Sequence, residues 1–204
     1  MLEFRLIYQG LLQGADRDNS RSEHKHQIRR YIHKQLFTLW HTKEPLKSRT
    51  IPPQPPWAHR NRPADIERIA AQYQMGGKTF LPIMSSEWNL TCALDILILR
   101  RDDFPVITSG DLDNRIKTLL DALRIPKVGE FCDGEENPLY CLLEDDKLVG
   151  ELKVTADLLL STPEQVIENP RITPFGEYAA NVNHTLTMMH VRVKRTGTGN
   201  TDFA

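Results

Sequence analysis

The chain predicts an α+β fold: a single domain with one mixed β-sheet and two main helices. Three observations carry that expectation. In residues 88–100 (WNLTCALDILILR), Leu90, Cys92, Leu94, Ile96 and Ile98 recur at every second position, the period of a strand. In residues 111–124 (DLDNRIKTLLDALR), Leu112, Ile116, Leu119, Leu120 and Leu123 fall on one helical stripe. The elements then run strand, helix, strands, helix, strand, strand, without regular βαβ alternation. At 204 residues, 40% of them hydrophobic, the chain is long enough to bury a core without covalent or metal staples.

Taken in order, residues 4–8 (FRLIY) read as a first strand, followed by the polar linker GADRDNS. Ser20 and Glu23 fit a capping box, S-x-x-E, opening a helix over 21–41. Ile28, Tyr31, Ile32, Leu36, Leu39 and Trp40 give that helix its apolar spacing; its other face is basic, with Arg29, Lys34 and several histidines. Residues 43–64 contain IPPQPPW, and proline's fixed φ and missing N–H argue for an extended arm there. A short helix is expected at 64–73, ended by Gly76-Gly77, then strands at 78–84 and 88–100. The helix at 111–124 is closed by Pro126. Residues 126–143 read as loop, 148–159 as a strand, 161–183 as loop and 185–194 as the last strand. The domain thus covers 1–194, with insertions at about 43–76, 126–143 and 160–183, and a disordered tail at 195–204.

Composition excludes several classes. No run of about 18 apolar residues exists, so no membrane partner is expected. The opening MLEFRLIYQG lacks the basic-then-apolar order of a signal peptide, which predicts a cytoplasmic protein. Cys92, Cys132 and Cys141 are odd in number and lack C-x-x-C spacing, so packed, reduced thiols are expected. Formal net charge is -1, without the overall basic surplus usual in nucleic-acid binders. The charges are unevenly placed, however: Arg21, Lys25, Arg29, Arg30 and Lys34 crowd residues 21–34, and acidic residues concentrate in 130–151.

The constellation that points to chemistry is Asp111-Leu112-Asp113-Asn114, with Lys117 three residues on and Asp145-Asp146 downstream. It sits where a strand hands over to a helix. Two carboxylates one residue apart can converge there on a hard cation, which takes oxygen ligands and leaves positions for water and phosphate. A third carboxylate after the helix would complete a site able to clamp a phosphodiester. Lys117, one turn after Asp113, suits a scissile phosphate, and Asn114 suits orienting the aspartates by hydrogen bonds. A purely structural reading stands beside this one. Asp111 is a favoured N-cap residue, Asp113 complements the helix dipole, Lys117 pairs with it at i, i+4, and Asp145-Asp146 makes a solvated turn.

The stretch GDLDNRIKTLLDAL, followed by EDDKLV and a strand, resembles the signature of the RusA family of Holliday-junction resolvases. The match is specific over residues 110–155 and topological elsewhere. The resemblance implies a RusA-like fold and Mg²⁺-dependent endonuclease activity, with Mn²⁺ as the alternative cation. It implies Asp111, Asp113 and Asp146 as metal-binding catalytic residues, Lys117 as the essential lysine, and Asn114 and Asp145 in support. It also implies a homodimer making paired incisions in branched DNA, a four-way junction, and a phage or prophage setting. The span between helix and acidic triplet is longer than the family's short turn, which leaves Asp146, Asp145 and Glu144 open as the third carboxylate, Asp146 being favoured. Alternatives are a degenerate protein that binds junctions without cutting, and a less selective nuclease.

For DNA contact, Arg29, Arg30, Lys34, Arg100 and Arg101 are the candidates. His24, His26 and His33 on or near the basic helix read as exposed polar residues rather than metal ligands. Trp40, Trp57 and Trp88 suit base stacking or, as the default, core packing.

Overall fold

The structure is a computed structural model and describes residues 2–14, 22–50, 64–100, 112–130, 136–159 and 184–196. Arg21, Asp111, Arg101, Cys132, Trp57, the capping Ser20, the IPPQPPW cluster, the stretch 160–183 and the tail from 197 lie outside the described residues. The elements are β1 (Glu3–Leu11), α1 (Ser22–Thr42), α2 (Leu46–Arg49), α3 (Asp65–Gln72), β2 (Gln74–Met75), β3 (Lys78–Met84), β4 (Leu90–Arg100), α4 (Leu112–Leu123), β5 (Leu139–Leu143), β6 (Val149–Leu158) and β7 (His184–Arg195).

The fold is α+β in a single domain, but the expected single sheet is two. A four-stranded mixed sheet runs β1-β7-β4-β6, and a three-stranded one runs β2-β3-β5. β7 pairs antiparallel with β1 and β4, and β4 pairs parallel with β6. β3 takes β5 as a parallel neighbour, not β4. Two further expectations are corrected. Residues 139–143, expected in a loop, form β5, and all five are buried. Residues 46–49, expected in an extended arm, form the one-turn helix α2, anchored by the buried Leu46.

The alternation of the main strands matches their burial. Phe4, Leu6 and Tyr8 of β1, Met189, Val191 and Val193 of β7, and Leu90 through Ile98 at even positions of β4 are all buried. They meet Ile28, Ile32, Leu36 and Trp40 of α1 and Ile116, Leu119 and Leu123 of α4 in one core, which β3 and β5 join through Leu81, Ile83, Leu142 and Leu143. Each fully buried aliphatic or aromatic side chain there contributes about 1.5–3 kcal/mol. Cys92 and Cys141 are buried free thiols, and burial pushes the Cys92 thiol up to about 12. Among the described residues no helix is long and apolar enough to cross a membrane.

One irregularity positions the site. Along the β4–β6 ladder Cys92 pairs with Val149 and Ala93 with Glu151, so Gly150 is an extra residue, a β-bulge. A regular ladder would set Glu151 opposite Leu94 and turn a carboxylate toward the core. The bulge instead sets Leu152 opposite Leu94 and Val154 opposite Ile96. The apolar side of β6 is thereby delivered to α4.

Candidate active site

The N-terminal half of α4 and the start of β6 form the two walls of a groove of about 410 Å³. Its apolar surface comes from Leu112, Ile116 and Leu120 of α4 and from Leu152 and Val154 of β6. Its charged groups are Asp113, Lys117 and Asp146. The helical period explains the first two: they lie one turn apart on the solvent side of α4, while Ile116 and Leu119 turn into the core. Asp146 begins a single 3₁₀ turn, Asp146–Leu148, that leads straight into β6.

All three of these side chains are exposed. Among the described residues none of them is joined to another charged group by a salt bridge; in particular Asp113 and Lys117 do not form the i, i+4 pair that a purely structural role would give them. Their neighbours are committed elsewhere. The Glu144 carboxylate accepts hydrogen bonds from the Ser86 backbone N–H at 2.6 Å and the Tyr73 hydroxyl at 3.1 Å. Asp145 caps the 3₁₀ turn, its Oδ1 accepting from the Lys147 backbone N–H at 3.0 Å. That N–H holds the Asp145 carboxyl below the usual aspartate range, with help from the Lys147 charge and the Asp146 side chain. Of the three consecutive acids, Asp146 is the one that lines the groove.

Asn114 is half-buried, and its backbone carbonyl accepts from the Thr118 hydroxyl at 3.1 Å. Asp113 and Asp146 are hard oxygen donors of the kind Mg²⁺ takes, one or two carboxylates with the remaining positions left to water and phosphate. Among the described residues no group of three or more His, Cys, Asp or Glu side chains is set to hold a metal. Asp113 and Asp146 are the two described carboxylates that line the groove.

The basic candidates divide. Arg30 and Lys34 are exposed on α1. Arg29 is not a surface residue: it is 2% exposed, and its Nη2 donates to Glu130 Oε2 and to the Asp121 carbonyl, both at 3.0 Å. Arg100 is buried as well. The histidine expectation is also corrected, because His24, His26 and His33 are all buried. His33 Nδ1 accepts from the Tyr140 backbone N–H at 3.0 Å, and burial lowers its pKa, so the ring is neutral. Trp40 is a fully buried core residue, and Trp88 carries the Arg49 guanidinium 4.7 Å above its ring.

Sequence reasoning misses a buried ionic cluster around the other end of α4. Lys25 Nζ lies 3.1 Å from Glu130 Oε1 and 3.3 Å from Asp121 Oδ2. Arg124 Nη2 lies 2.8 Å from Asp121 Oδ1 and 3.3 Å from Glu130 Oε1. Burial alone would raise the Glu130 carboxyl, but the Lys127 N–H and the Lys25, Arg124 and Arg29 cations bring it down to about 2. The one cue in the sequence is Lys25 and Arg29, a turn apart on the same side of the helix as Ile28 and Ile32.

Compared with family models, curated proteins and solved structures, the chain finds no match.

Proposed function

We propose that the chain is a RusA-like, Mg²⁺-dependent endonuclease that hydrolyses phosphodiester bonds in branched DNA, acting as a homodimer that makes paired incisions at a four-way junction. The observation that carries this reading is the convergence of Asp113, Lys117 and Asp146 on one groove, free of salt bridges to each other or to described neighbours. An exposed charge needs no partner, but two carboxylates and an ammonium gathered in one concavity suit a ligand that matches them. A divalent cation and a phosphodiester do so together.

In this reading Asp113 and Asp146 hold Mg²⁺, or Mn²⁺, with Asp111 as the third carboxylate by resemblance. The cation supplies charge neutralisation at the phosphate and a more acidic attacking water. Lys117 holds the scissile phosphate and offsets charge that builds on its oxygens during displacement. Asp145 keeps the 3₁₀ turn that presents Asp146. Leu112, Ile116 and Leu152 give the groove a low-polarity wall, which strengthens those electrostatic contacts.

The test is purified protein with Mg²⁺ and a synthetic four-way junction, beside flap and linear duplex substrates. Junction cleavage by the native chain that disappears in Asp113→Asn supports the reading. Equal cleavage of all three substrates makes it a less selective nuclease. A second reading, a protein that binds junctions without cutting them, takes its support from the formal net charge of -1 and the acidic stretch over 130–151. Junction binding in EDTA with no cleavage in Mg²⁺ or Mn²⁺ would establish it instead.

A further inference from the structure

α1 divides its cations between two sides. Lys25 and Arg29 point inward and are held by Glu130 and Asp121. Arg30 and Lys34, one turn apart, are exposed and form no ion pair among the described residues. After Glu23 the helix carries no acidic residue, so its outer side is locally positive on a chain whose net charge is -1. That side also exposes two large aromatics, Tyr31 at 41% and Phe37 at 47%.

Both rings are braced from below. Tyr31 meets Tyr8 edge-on, with centroids 5.5 Å apart and planes at 84°. Phe37 meets Tyr140 in the same way at 5.3 Å, and it lies 4.3 Å from the His41 ring. A ring already fixed by its neighbours loses little conformational entropy on stacking. Beside them a groove of about 710 Å³ runs between α1 and β1, with Ile7 and Gln35 in its wall and Glu136 as the one carboxylate among its described lining residues.

We propose that this outer face of α1 binds single-stranded DNA, the unpaired bases stacking on Tyr31 and Phe37 and the backbone phosphates lying against Arg30 and Lys34. Cations spaced along a helix and interleaved with exposed aromatics match a strand whose phosphates and bases alternate. Duplex DNA hides its base faces and would leave the rings unused. The inference rests on the nuclease reading in taking DNA as the occupant: this face would hold bases released when pairs open at a branch point, while the α4 groove takes the scissile phosphate.

The experiment measures fluorescence anisotropy of a short labelled oligothymidylate in EDTA, as a function of salt, with circular dichroism melting to check folding. Arg30→Ala/Lys34→Ala is expected to bind on the order of ten-fold more weakly. Its log–log salt slope should fall by about 1.4, near 0.7 for each phosphate contact removed from a single strand. Tyr31→Ala is expected to weaken binding on the order of ten-fold with the slope unchanged. Wild-type affinity and slope in both folded variants would overturn the proposal, as would displacement of the oligonucleotide by polyglutamate as readily as by unlabelled DNA, the mark of a face made for an acidic protein. The two readings separate cleanly. Junction cleavage in Mg²⁺ with single-strand binding indifferent to Arg30 and Lys34 sinks this surface alone. Single-strand binding through α1 without any cleavage sinks the nuclease alone.

Discussion

The two ends of α4 carry charge in opposite ways. At its C-terminal end Asp121 and Arg124 join Lys25, Arg29 and Glu130 in a cluster whose side chains are between 1% and 14% exposed, each ionised group within 3.3 Å of a partner. At its N-terminal end Asp113 and Lys117 stand in solvent with Asp146, and none of the three forms an ion pair among the described residues. Taking a charge out of water costs several kcal/mol, so the first arrangement depends on each charged group having an opposite charge beside it, although Arg29 Nε and Nη1 are buried without a hydrogen-bond partner among the described residues. The second has no such requirement. One helix therefore joins a part that fixes its place against α1 to a part that, on the proposed reading, faces substrate, and the two should respond differently to the same kind of substitution.

The largest expected effect is on the exposed end. Asp113→Asn should lower Mg²⁺-dependent junction cleavage by at least about 10²–10³-fold, as losing a principal charge-stabilising group does. Its thermal stability should move by no more than about 0.5 kcal/mol, since the side chain is exposed and unpaired. Activity and melting temperature measured on the same preparation check both halves. A matching loss of stability would erase the contrast between the ends.

The buried end should behave in reverse. Glu130→Gln removes the carboxylate that Lys25, Arg29 and Arg124 share, leaving buried cations uncompensated, and should cost about 3–5 kcal/mol in denaturant unfolding. Its groove residues remain, so cleavage per folded molecule should stay near that of the native chain below the melting transition. The same cluster sets an acid limit. The Glu130 pKa lies at about 2 in the fold against an ordinary 4.5. A depressed carboxyl contributes stability that is complete above the unfolded value and fades as pH falls. Stability should therefore decline between pH 4.5 and about 2. The whole decline should be roughly 3 kcal/mol, because a tenfold change in proton affinity is worth about 1.4 kcal/mol. Glu130→Gln should flatten it.

How much of this is legible in the sequence differs between the two ends for a physical reason. Periodicity is local, so α4's apolar stripe, its solvent-side Asp113 and Lys117, and the alternation in β1, β4 and β7 can all be read directly. The ionic cluster joins residues about a hundred positions apart, Arg29 to Glu130 for instance, and the only local cue is that Lys25 and Arg29 share a side of the helix with Ile28 and Ile32, which does not name their partners. The histidines of α1 mislead on the same ground: a polar residue is buried only if a distant partner satisfies it, as the Tyr140 N–H does for His33. β5 escapes because five consecutive buried residues, LYCLL, show neither a helical nor a strand period. Its pairing with β3 is also what splits the expected single sheet in two. The Gly150 bulge has one local cue, a lone glycine inside the strand pattern LVGELKV, and it decides which side of β6 meets α4.

The smallest expected effect bears on the acidic triplet, which sequence alone leaves unresolved. Glu144, Asp145 and Asp146 are adjacent carboxylates with one charge each, so composition cannot rank them; their partners can. Asp145 accepts from the Lys147 N–H and caps the turn, so Asp145→Asn should cost about 1 kcal/mol or less, the scale of a capping bond to a short exposed turn. Cleavage should fall only as far as the turn loosens, well short of the loss in Asp146→Asn, which should match Asp113→Asn. Asparagine and serine at 145 both keep an oxygen that accepts the Lys147 N–H, so either should retain most of the cleavage, whereas no neutral residue at 146 should do so. If Asp145→Asn instead abolished cleavage and Asp146→Asn spared it, the third carboxylate would be Asp145. The contrast between a committed cap and an unpaired groove residue would then have to be drawn the other way round.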